Sequence, residues 1–109
     1  MPASLDLLQG TLDLLILKAL SGGTLHGYSV ARIIRERSGN IFLVEEGALY
    51  PALHRLEKQR LIESEWGVSE NNRKARYYEL TPRGRAQLRT ELATWNRYVK
   101  AVAGVLQRA

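Results

Sequence analysis

A chain of 109 residues with no cysteine is long enough to bury a core unaided, and it has no means of building a disulfide framework, a thiolate metal site or a cysteine nucleophile. No basic stretch precedes an apolar run at the N-terminus, so a secretory signal is not expected and the expected location is cytoplasmic. The net charge of +5 is uneven: residues 81–109 set six basic groups against Glu91, whereas residues 31–66 balance six against six, a distribution that permits a phosphate partner without requiring one.

Leu8, Leu12, Leu15 and Ala19 recur at helical spacing, and Leu5, Leu14, Ile16 and Leu17 widen that stripe until the first helix is apolar on most sides. Such a helix needs two partners, its own core and another subunit. It carries Asp13 and Lys18 and stops at Gly22-Gly23, too short to cross a bilayer. A second helix is predicted from Leu25 or His26 to Ser38, with Tyr28, Val30, Ala31, Ile33 and Ile34 facing inward and Gly39-Asn40 as its stop. A third begins near Glu45–Gly47 and buries Leu49, Leu53 and Leu56, leaving Ala48, Tyr50, Pro51, His54, Arg55 and Lys58 on its open face.

After Arg60 the period changes to two. Ile62, Ser64 and Trp66 share one face of a strand, Gly67–Asn72 is rich in turn formers, and Ala75–Leu80 alternates again. The resulting hairpin carries Arg73, Lys74 and Arg76 at or near its tip. Thr81-Pro82 then provides an N-cap and a proline at N1 for a last helix over 82–107. Its apolar positions Leu88, Leu92, Trp95, Val99, Val102 and Leu106 form a heptad seam that one compact domain cannot cover, so a homodimer is expected.

Nothing in the sequence makes a catalytic constellation. His26 and His54 stand on different elements without a triad or Glu-x-x-His partner and read as structural, Glu45-Glu46 reads as favourable charge at a helix start, and no glycine pattern cradles a phosphate. Neither an enzyme nor a cofactor or metal is expected. A helix with an open polar face followed at once by a basic hairpin has instead the form of a winged helix-turn-helix, in which the second helix of the pair enters the major groove. The expected fold is thus mainly α with a small β-hairpin. Residues 1–80 make the DNA-binding domain, including a dimer-contact helix, and 81–109 the dimerisation helix. Candidate DNA contacts are Ala48, Tyr50, His54, Arg55 and Lys58 on the third helix and Arg73, Lys74 and Arg76 on the wing. The competing expectation is a winged-helix module that contacts proteins alone and shows no salt-dependent DNA affinity.

The segments LLQGTLDLLILKAL (7–20), HGYSVARII (26–34), GALYPALHRLEKQRLIESEW (47–66) and RKARYYELTPRGRAQL (73–88) resemble the PadR family of bacterial transcriptional regulators, in its short form with one C-terminal helix. The resemblance implies a dimeric winged-helix repressor with its first and last helices at the dimer interface and DNA contacts on the third helix and wing. The partner would be a pseudo-palindromic operator in double-stranded DNA, with no role for a membrane. It also implies a ligand site: in members with multidrug effectors a tryptophan of the last helix meets its symmetry mate around a flat aromatic compound. Trp95 is similar to that residue, and Leu7, Gly10, Leu14 and Val99 would line the pore.

Overall fold

The computed structural model describes residues 10–108. The expectations placed on Leu5, Leu7 and Leu8 lie outside them. Helix α1 (Thr11–Leu20) starts after Gly10, whose φ of 86° suits a residue without Cβ, and buries Leu14, Ile16, Leu17, Ala19 and Leu20. Helix α2 (Gly27–Arg37) packs Val30 and Ile34 against it, and α3 (Glu46–Lys58) closes the core with Leu49, Ala52, Leu53 and Leu56. Strands β2 (Ile62–Val68) and β3 (Lys74–Leu80) form the expected antiparallel hairpin, and α4 (Pro82–Gln107) follows.

Two local expectations are corrected. Leu25-His26 does not begin α2. It forms a short strand, β1, on the free edge of β3, with Leu25 opposite Tyr78 and His26 opposite Tyr77, so the hairpin becomes a three-stranded sheet of order β1-β3-β2. The extended backbone of His26 then serves as the N-cap of α2, its Nδ1 accepting from the Ser29 N–H at 3.3 Å. Tyr28 does not face inward. It precedes Val30 by two residues, about 200° around the helix, and is 64% exposed.

Chain reversals follow their turn residues. Gly39 and Asn40 both take positive φ, 63° and 66°, ending α2 as expected. Pro51 sits in the second turn of α3, so the Gly47 carbonyl gives up a helical bond at an exposed position. At the far end Arg60 adopts φ 61°, allowing the Leu61 N–H to reach the Leu56 carbonyl at 3.0 Å. Thr81 joins this corner to α4: its hydroxyl donates to the Arg60 carbonyl at 2.7 Å and accepts from the Gly84 N–H at 2.9 Å.

Helix α4 spans 26 residues, about 39 Å at 1.5 Å per residue, and accounts for the elongated 58 × 37 × 21 Å outline. Its heptad seam is graded. Leu88 is buried in the chain's own core and Leu92 and Trp95 pack against that core, while Val99 and Val102 are exposed by about two-fifths and Leu106 by 77%. Leu88 has therefore little surface left for a second subunit, because α1 and β3 already cover the start of α4.

Candidate nucleic-acid interface

On α3 the buried stripe Leu49, Leu53, Leu56 leaves Ala48, Tyr50, Pro51, His54, Arg55 and Lys58 exposed on the opposite side, as the helical period requires. Tyr50 is seated by α2. A Cβ placed on Gly27 would come within 3.1 Å of the Tyr50 ring and 3.3 Å of its hydroxyl, so the bare glycine backbone provides the space for that ring. Beside it, a cleft of about 380 Å³ between α2 and α3 is walled by Tyr28, Arg32, Arg35, Leu43 and Tyr50.

The candidate cations are in two different states. Arg55 donates from Nη2 to the Asp13 carboxylate of α1 at 2.9 Å, and Arg76 reaches the Glu57 carboxylate of α3 at 3.3 Å. The Arg76 Nε also donates to the Ser64 hydroxyl at 2.9 Å, which itself donates to Glu57 at 2.6 Å. Arg76 thus braces the base of the wing against α3. Among the described residues Lys58, Arg73 and Lys74 have no carboxylate partner, and all three are exposed. The tip itself turns through Ser69–Arg73, with Asn72 at φ 57° and Ser69 donating its N–H to the Arg73 carbonyl at 2.8 Å.

The sheet has two unlike faces. One runs outward from the core through Ile62 and Leu80, Ser64 and Tyr78, Trp66 and Arg76, to Val68 and Lys74; the other carries Glu63 opposite Glu79 and Glu65 opposite Tyr77. Tyr78 belongs to the first of these, the inner face, where burial raises its phenol pKa; Arg76 opposes that shift, and Glu57 and Tyr50 add to it. Asp13, Glu57 and Ser64 were not legible as parts of this region, because each meets its partner on another element, Asp13 across 42 residues and Glu57 and Ser64 through the way the hairpin folds back on α3.

The residues named for an effector do not all gather in one chain. Trp95 is half-buried and stacks on Tyr98 with ring centres 6.2 Å apart, Val99 is 43% exposed, and Leu14 is buried in the core. Gly10 is exposed at the start of α1, and Leu7 lies outside the described residues. The two histidines have separate settings: His26 is occupied as a cap and His54 is exposed on α3.

Among the described residues no helix is long and apolar enough to cross a membrane. Residues 16–90 match the transcriptional regulator PadR-like family. The chain is 36% identical over 89 residues to the transcriptional regulator Rv3488 of Mycobacterium tuberculosis, covering 82% of this chain and 79% of that protein. It is also 33% identical over 90 residues to an uncharacterized protein of Lysinibacillus sphaericus, covering 83% of each. In structure it is similar to a PadR family transcription regulator of Clostridium difficile, with TM-score 0.76 and 33% identity over 91% of this chain and all of that one. A PadR-like regulator of Bacillus cereus gives TM-score 0.80 at 30% identity, over 93% and 96% of the two chains. With its winged helix-turn-helix, its open α3 face and its basic wing, the chain belongs to the PadR-like family of transcriptional regulators, which act by binding DNA and not by catalysis.

Proposed function

We propose that this protein is a homodimeric repressor that binds a pseudo-palindromic operator, with one α3 in the major groove of each half-site and the wing on the adjacent backbone. The observation that carries the reading is the α4 seam, which begins inside the core at Leu88 and emerges into solvent with Val99 at 43% and Leu106 at 77% exposure. A second copy covers that stripe and sets the distance between two reading heads, as two-fold operators demand. Ala48, Tyr50, His54 and Lys58 meet the groove, Arg73 and Lys74 meet phosphates, and Arg55 and Arg76 do so only as far as their carboxylate partners release them. An effector, a flat aromatic compound between the two Trp95 rings, releases the operator by favouring a spacing of the heads that misfits successive grooves. Residues 1–80 on this reading form the DNA-binding part and 81–109 the dimerisation helix.

The test is a gel shift with DNA from upstream of the protein's own gene at two salt concentrations, beside sedimentation of the free protein. Dimeric sedimentation with binding that weakens steeply with salt is the expected result. In the same assay Arg73→Ala with Lys74→Ala weakens binding to all sequences and lowers the salt slope by about two. A monomer, or a protein without salt-dependent DNA affinity, overturns the proposal.

A further inference from the structure

Trp66 is a large apolar side chain in an unexpected place. It stands on the wing at 59% exposure, beyond the point where the sheet leaves the core, with Val68 next along the same face at 66%. Packing does not account for it. Two cations do: the Lys74 ammonium and the Arg76 guanidinium each lie 5.4 Å from the indole, within cation–π range. Arg76 is in turn held by Ser64 and by Glu57 of α3. A continuous chain of contacts therefore runs from the recognition helix through Arg76 to the indole and on to Lys74.

Charge decides which side of the wing can meet a polyanion. The outer face presents Glu63, Glu65 and Glu79, of which Glu63 and Glu79 sit directly opposite one another. The inner face presents Trp66, Lys74 and Arg76, the last paired with Glu57, and the adjoining turn carries Glu70 as well as Arg73, which leaves the inner face the more positive of the two. Phosphates are repelled from the first and drawn to the second.

Resting on the DNA-binding reading above, we propose that Trp66 is a DNA-contact and positioning residue: its ring packs on the sugar edge of the groove beside α3 and holds Lys74 at the height of the phosphates. The wing then meets DNA with its inner face, braced from α3 through Glu57, and not only with its tip. A flexible lysine held over an aromatic ring loses less freedom on binding than a free one, so the indole contributes to affinity for every sequence alike.

The experiment uses the full chain, a short duplex from upstream of its own gene and a mixed-sequence duplex of equal length. Wild type, Trp66→Phe and Trp66→Leu are titrated across salt, and acrylamide quenching of the indoles is measured with and without DNA. Trp95 is the second of the two tryptophans and is common to all three proteins. The expected result is a loss of about fivefold to tenfold for Trp66→Leu on both duplexes, with a salt slope lower by about one, and a smaller loss for Trp66→Phe. DNA should shield an indole of the wild type from acrylamide, and that shielding should vanish in Trp66→Phe. If the wild type binds with a salt slope and Trp66→Leu matches it in affinity and slope, with no shielding, the role of Trp66 is refuted while the DNA reading stands. If the wild type binds neither duplex in a salt-dependent way, both fall.

Discussion

The Arg55 guanidinium meets the Asp13 carboxylate at 2.9 Å, so the exposed face of α3 is tied to α1 by a pair 42 residues apart in sequence. Arg55 remains 54% exposed in this pair. Breaking it costs little in folding, less than about 1 kcal/mol in urea unfolding, as solvent-exposed ion pairs do. Its effect on DNA is larger in kind. Asp13→Asn removes a negative charge beside the interface and frees Arg55, so DNA affinity measured by fluorescence anisotropy should rise about twofold to threefold with a steeper salt slope. Unchanged affinity and slope would assign Arg55 to bracing alone.

Two glycines of α4 make opposite predictions. A Cβ on Gly84 would strike the Leu61 carbonyl, a backbone atom fixed by its bond from the Thr81 N–H. Gly84→Ala should therefore cost roughly 1–3 kcal/mol or more, read as a lower urea midpoint. Gly104 has open space around it, and alanine there should stabilise the helix by about 0.5–1 kcal/mol.

Tyr78 predicts an alkaline limit. Burial raises its pKa above the ordinary 10.0, so the folded protein keeps a proton that the unfolded chain releases. The stability tied to this group is complete below about pH 10 and falls as pH climbs from there through the raised folded value. Urea titrations at a series of alkaline pH values should show a shallower loss for Tyr78→Phe than for the wild type. Identical slopes would mean that the phenol is as well solvated in the fold as out of it.

Leu88 and Val102 lie on one heptad seam and should fail differently. Leu88→Ala empties a core position and should cost about 2–5 kcal/mol of unfolding free energy without changing the oligomeric state of the protein that remains folded. Val102→Asp places a charge on the exposed part of the seam and should leave the fold intact while sedimentation shifts to a monomer. A dimer that survives Val102→Asp would put the interface elsewhere.

Much of the molecule was legible because its signals are local. Helical spacing in α1, α3 and α4, the Thr81-Pro82 start, the Gly39-Asn40 stop and the alternation through Ile62–Trp66 each depend on neighbours a few residues away. The open face of α3 followed from the same spacing, since the residues opposite Leu49, Leu53 and Leu56 can only be outside. β1 has no local signature, because two residues carry no period and their extended form is set by the free edge of β3, some fifty positions downstream. Tyr28 misled for a related reason: hydrophobicity suggested an inward side chain that the helix phase does not allow.

The amino-acid sequence by itself determined the order of the elements, the polar face of α3 and the basic composition of the wing, since periodicity and turn chemistry act over a few residues. Only the tertiary structure decided which cations are occupied and which are free. It tied Arg55 to Asp13 and Arg76 to Glu57, left Lys58, Arg73 and Lys74 without carboxylate partners among the described residues, and set Trp66 among cations on the face turned toward α3. Those outcomes depend on how α3 packs against α1 and against the hairpin, and on the register of the two strands, which no pattern within a single element specifies.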